Sequence, residues 1–143
     1  MNGPEADARG HRSVPHTADI RIEAWAPTRD ACIAEAVAGL VASFADTVGA
    51  HPVRTATTDL TAGSDADVLV EALDEVIYLL DTQGAVPVDT DVAPGSDGPR
   101  VRLHLTPVAD VVTIGAAPKA VTLHDLRFDR VDGGWFCAVT IDV

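Results

Sequence analysis

The sequence predicts an α+β fold in which two helices cover a largely antiparallel sheet, as a single-domain sandwich. Two long segments repeat apolar residues at helical spacing, and several short ones alternate apolar with polar residues, the period of a half-buried strand. The late strands are joined by short, turn-rich connections that suit antiparallel neighbours. A chain of 143 residues, 47% of them hydrophobic, is long enough for one domain with a substantial core. Aromatic residues are only 4%, so that core must be mostly Val, Leu, Ile and Ala. Residues 1–13 read as a flexible polar N-terminal tail and 14–143 as the single domain.

The first strand is expected in HTADIRIEAW at 16–25, where Ile20, Ile22 and Ala24 alternate with Arg21, Glu23 and Trp25. APTRDACIAEAVAGLVASFAD then turns helical, with Thr28 as N-cap and Asp30 in the first turn. Ile33, Ala36, Val37, Leu40, Val41 and Phe44 share one face of that helix. Gly39 inside it costs helix stability, which implies close packing against a neighbour. The Thr-rich VRTATTDLTA is extended. SDADVLVEALDEVIYLLDTQG forms the second helix, capped by Ser64 or Asp65 and ended by Gly84. Its apolar stripe is Leu69, Val70, Leu73, Val76, Ile77 and Leu80. AVPVDTDV is extended, and Pro87 marks it as an edge. After the loop APGSDGP, VRLHLTPV alternates with Val101, Leu103 and Leu105 on one face. AVTLHDLRF is the next strand, and Asp132-Gly133 suits a primed hairpin turn. WFCAVTIDV returns antiparallel with Trp135, Cys137, Val139, Ile141 and Val143 on one face.

Composition removes several functions. A formal charge of −12, with Lys119 the only lysine, offers no basic footprint for phosphates, so direct nucleic-acid binding is not expected. Such a chain suits cations or a basic protein partner, although charge also serves plain solubility. No apolar run approaches the ~20 residues of a membrane span. The N-terminus lacks the apolar middle of a signal peptide, which places the protein in the cytoplasm. Cys32 and Cys137 lack CxxC spacing and read as small buried hydrophobes. Phosphate-binding glycine loops, GxSxG and HExxH are all missing, and the five histidines are scattered without metal-ligand spacing.

Carboxylates remain. Asp19 opens the first strand; Asp142 closes the last, followed by the terminal carboxylate of Val143. If the two strands are neighbours, three hard oxygen donors meet, a set that repels itself unless a cation neutralises it. Oxygen-only ligation selects Ca²⁺ or Mg²⁺. Ordinary solvation also puts aspartates at strand ends, so spacing alone leaves both readings open.

The segments HTADIRIEAW (16–25), ACIAEAVAGLVASFAD (31–46), LVEALDEVIYLLDTQG (69–84), KAVTLHDLRF (119–128) and the terminal GGWFCAVTIDV resemble the archease family in order and spacing. The resemblance implies a small cytoplasmic protein that is not itself an enzyme. It would activate the GTP-dependent tRNA-splicing RNA ligase, promoting its guanylylation and multiple turnover. It also implies a metal site whose ligands fall on Asp19, Asp142 and Val143, with calcium the first choice and magnesium or manganese as alternatives. Asp46 falls on a further acidic position of the family, and His124 lies in the family-like LHDL stretch, where a hydrogen-bonded structural role is the preferred expectation over ligation. Two other functions stay open: a chaperone-like binding module, and a stand-alone metal-dependent enzyme using the same carboxylates.

Overall fold

The structure, a computed structural model, describes residues 8–15, 19–61 and 63–143. Among the described residues, nine strands and two α-helices follow in the order β1 (Gly10–Pro15), β2 (Asp19–Ala26), α1 (Arg29–Ala42), β3 (Ala45–Asp46), β4 (Arg54–Asp59), α2 (Asp65–Gln83), β5 (Ala85–Pro94), β6 (Pro99–Pro107), β7 (Val112–Thr113), β8 (Ala120–Val131) and β9 (Gly134–Asp142). A 3₁₀ turn, Val108–Asp110, lies between β6 and β7. Every strand pairing is antiparallel, but the strands divide among three sheets: β1-β2-β9-β8, β4-β6-β5 and the two-residue pair β3-β7.

Local chemistry sets both helices. The Thr28 hydroxyl oxygen accepts from the Ala31 N–H at 3.1 Å, satisfying one donor that the first turn leaves unpaired. Ser64, not Asp65, caps α2, accepting from the Asp67 N–H at 3.1 Å. Gly84 ends α2 in the left-handed region at φ +59°, ψ +34°, a conformation that glycine adopts without a Cβ penalty. The side chains that α1 buries include Cys32, Ile33, Val37, Leu40 and Val41. α2 buries Val68, Leu69, Ala72, Leu73, Val76 and Leu79, so its stripe turns slightly away from Val70, which is only half-buried.

α1 packs over β1, β2 and β9 and reaches β5, while α2 lies against β8 and β5. One aliphatic core fills the space between helices and sheets, joining Ile22 of β2, Leu40 of α1, Leu73 of α2, Leu103 of β6 and Ile141 of β9. Each such side chain contributes roughly 1.5–3 kcal/mol on burial.

β1 begins at Gly10, inside the segment read from sequence as a tail; residues 1–7 of that segment lie outside the described residues. The segment GHRSVP lacks apolar alternation, and its order comes from partners distant in sequence. Gly10 sits opposite Trp25, where a Cβ would come within 2.6 Å of the indole. The Arg12 guanidinium lies 5.3 Å from the Trp25 ring centroid, within cation–π range. Gly39 does permit close packing: a Cβ there would lie 3.0 Å from both His11 Cβ and Ile22 Cγ2. The β8–β9 turn corrects another expectation. Only Gly133 is left-handed, at φ +80°, while Asp132 is not, the φ pattern of a type II turn rather than a primed one.

Candidate functional site

β2 and β9 are adjacent and antiparallel in the middle of the four-stranded sheet, so the start of one meets the end of the other. Asp19 and Asp142 are direct register partners. Opposed residues of an antiparallel pair point to the same face with Cβ atoms roughly 4.5–5.5 Å apart, where like charges repel. The Asp142 backbone is also held from β8: Ala120 is its register partner there, and its carbonyl accepts from the Lys119 N–H at 2.8 Å. Asp142 is exposed and Asp19 half-buried. Val143 is partly buried against the core. Two facing aspartate carboxylates supply hard oxygen donors of the kind that fit a divalent cation. His16 and Thr17, which precede Asp19 in the same motif, lie outside the described residues.

The other two candidates sit elsewhere. Asp46 is exposed on β3 opposite Val112 of β7, and its Oδ1 accepts from the Val48 N–H at 3.0 Å. It lines a groove of about 420 Å³ between α1, β3 and β5, whose described lining includes Glu35 and Asp89 but not Asp19 or Asp142. His124 lies where β8 departs from regular pairing. β8 advances from Thr122 to Arg127 while β9 advances only from Thr140 to Ala138. Asp125 takes the left-handed conformation there at φ +54°, which aspartate tolerates better than most residues. The His124 side chain is 84% exposed, with Nε2 3.2 Å from Asp125 Oδ2. Its side chain thus lies on the surface beside Asp125.

The structure also gathers a group that the sequence reading missed. Asp89 and Asp91 of β5 and His104 of β6 bring ligand atoms within 4.8 Å of one another. A signal was present in Asp-x-Asp, which puts both carboxylates on one strand face. The register that brings His104 to them was not legible.

A largely antiparallel sheet system under two helices, with opposed aspartates at the meeting of its first long strand and its last, is an archease-type architecture. Residues 11–143 match the model of the Archease protein family. The chain is 54% identical over 141 residues to the "Probable protein archease" of Mycobacterium tuberculosis, covering 99% of this chain and 79% of that one. It is 30% identical over 139 residues to the "Protein archease" of Archaeoglobus fulgidus, covering 93% and 98%. The fold is shared with a protein of Methanobacterium thermoautotrophicum solved in solution, at TM-score 0.74 and 18% identity over 94% of this chain and 99% of that one. It is also shared with a Thermotoga maritima crystal structure described as "an archease, possible chaperone", at TM-score 0.60 and 18% identity over 91% and 94%. This chain belongs to the archease family.

Proposed function

We propose that this protein is a metal-binding activator of the GTP-dependent RNA ligase that joins 3′-phosphate ends in tRNA splicing. In this reading it works in the cytoplasm and has no catalytic turnover of its own. Asp19, Asp142 and the Val143 carboxylate would hold the cation, with calcium the first choice and magnesium or manganese as alternatives. The observation that carries the reading is the direct opposition of Asp19 and Asp142 in a chain of this family. A bound divalent ion would supply charge neutralisation, letting anionic groups approach one another at low repulsive cost. The aspartates themselves would hold that ion at the point where three strands, β2, β9 and β8, meet.

The charge of −12 supports a protein partner over a nucleic acid. An acidic activator approaches a basic, RNA-binding ligase through complementary fields, which act first on the association rate. Bare tRNA meets no such complementarity.

The test follows covalent transfer of GMP from GTP onto the purified ligase, with and without this protein. Substoichiometric protein should accelerate guanylylation, and the Asp19→Ala, Asp142→Ala double variant should not. Full stimulation by that variant would overturn the metal-centred reading, and turnover of GTP or RNA by this protein alone would make it an enzyme. A chaperone-like reading draws on the description of the Thermotoga maritima relative. It requires instead stoichiometric action that survives loss of Asp19.

A further inference from the structure

The outer face of the three-stranded sheet carries a row of polar residues set by register. Val101, Leu103 and Leu105 of β6 turn into the core, so His104 faces outward. Thr55 of β4 and Asp89 of β5 are its cross-strand partners on either side. Asp91 stands two residues beyond Asp89, on the same face. A β-bulge makes this arrangement. Pairing runs from Pro87↔Leu105 directly to Asp89↔His104, so Val88 is skipped. Regular pairing would have placed Val88 opposite His104 and turned both aspartates to the other face.

We propose that Asp89, Asp91 and His104 form a second cation site, specific for a first-row divalent transition ion of the zinc type and sharing no residue with the chain-end carboxylates. The three ligand atoms lie within 4.8 Å of one another. An ion with metal–ligand bonds of about 2.1 Å needs them at roughly 3–3.5 Å. Rotation of exposed carboxylate side chains supplies that contraction.

The imidazole is already oriented. Nε2 lies 2.8 Å from Asp91 Oδ2 and Nδ1 3.0 Å from Thr55 Oγ1. A threonine hydroxyl can donate or accept, so it serves either tautomer of a neutral histidine. Without metal, Nε2–H donates to Asp91. With metal, Nδ1–H donates to Thr55, and the Nε2 lone pair takes the ion that replaces the proton beside Asp91. Such outer hydrogen bonds fix ring orientation in histidine metal sites. Among the described residues neither aspartate is paired with an arginine or lysine, and Arg102, the register partner of Asp91, makes no ion pair with it. A nitrogen donor beside two carboxylates selects transition ions over the calcium and magnesium suited to all-oxygen sites. With three protein ligands, the remaining coordination positions stay open to water or to a partner's group.

The inference stands independently of ligase activation. Tag-free protein would be titrated with zinc by calorimetry in excess calcium, and with Co²⁺ as a visible-absorption probe of the same site. We expect one zinc per chain with micromolar affinity, weakened at least about tenfold by His104→Ala or Asp91→Asn. Thr55→Val should weaken it by a smaller factor, and the Asp19→Ala, Asp142→Ala variant should bind zinc as the parent does. Circular dichroism of each variant checks its fold. Absence of zinc binding by the parent protein would overturn the site. So would unchanged affinity in folded His104→Ala, or loss of zinc binding with the chain-end aspartates rather than with His104.

Discussion

Asp19 and Asp142 stand directly opposite each other where β2 begins and β9 ends. If they share a cation, that ion binds the folded chain and not the unfolded one, because the two residues are far apart in sequence. Calcium at a hundredfold excess over its dissociation constant should then stabilise the protein by about 2.7 kcal/mol. Urea denaturation with calcium and with chelator measures the difference. Asp19→Ala and Asp142→Ala should each remove most of it. Residues appended after Val143 should reduce it too, because they convert a carboxylate into a neutral amide. A calcium effect that survives in the double variant would place the ion elsewhere.

Gly39 is the contact point between α1, β1 and β2. A valine there must displace His11 of the edge strand or Ile22 of the core. Overpacking of this kind costs about 1–3 kcal/mol. The strand that yields should be β1, which among the described residues pairs with β2 alone. Amide exchange in residues 10–14 should therefore accelerate in Gly39→Val more than exchange in β9. Equal acceleration in the two strands would show that the glycine supports the core rather than the edge.

The helices and the inner strands were legible because the signals that specify them are local. Thr28, Ser64 and Gly84 announce the helix ends through their own side chains or backbone freedom. Clean alternation in β2, β6 and β9 names the faces that become buried. The opposition of Asp19 and Asp142 followed from two such strands once their adjacency was supposed. Features that depend on distant partners were hidden. β1 is ordered by Trp25 and by the gap at Gly39, and nothing inside GHRSVP reports either. The division into three sheets is a matter of strand order, which periodicity does not encode. Asp89, Asp91 and His104 meet only because a bulge shifts the β5–β6 register at Val88. The segment after β6, which has no regular alternation, supplies the short β7 that holds Asp46.

Glu23 on β2 faces Arg12 on β1. Arg12 Nε donates to its Oε1 at 2.5 Å and Arg21 Nε to its Oε2 at 3.3 Å. Burial pushes the Glu23 carboxyl up, but the hydrogen bonds and charges of Arg12 and Arg21 outweigh it, so the net shift is downward. A carboxylate held below its unfolded value, about 4.3, stabilises the fold above that value. The contribution disappears as pH falls through the lower, folded value. Arg12 is 61% exposed, so solvent screening limits the effect to under about 1 kcal/mol. Glu23→Gln should lower stability at neutral pH by that amount and flatten the acid limb of a stability–pH curve measured by urea denaturation. An acid limb unchanged by the substitution would assign the pH dependence to other carboxylates.

Cys32 of α1 and Cys137 of β9 are both fully buried. The Cys32 thiol donates to the Ala24 carbonyl at 3.6 Å, and Ala24 is the register partner of Cys137. The neighbouring Cys32 thiol and burial push the Cys137 thiol well up, so it stays protonated at physiological pH. Only a thiolate reacts readily. A hydrogen bond with Cys137 pushes the Cys32 thiol down, so for Cys32 it is burial that denies a reagent access. Folded protein should therefore resist an aromatic disulfide reagent at neutral pH, and both thiols should react once urea unfolds the chain. Labelling in water should proceed no faster than the protein opens. Substitution separates packing from polarity at the same position. Cys137→Ala removes one sulfur from the core and should cost about 1–2 kcal/mol as a small cavity. Cys137→Ser keeps nearly the same volume but buries a hydroxyl, which costs about 1–3 kcal/mol unless it finds a partner. A serine hydroxyl there would have to share the Ala24 carbonyl with Cys32 or turn to the Cys32 sulfur, a weak acceptor, so Cys137→Ser should be the less stable of the two. Rapid labelling of either thiol in the folded state, or a serine variant as stable as the parent, would show that the space between α1 and β9 is open to water.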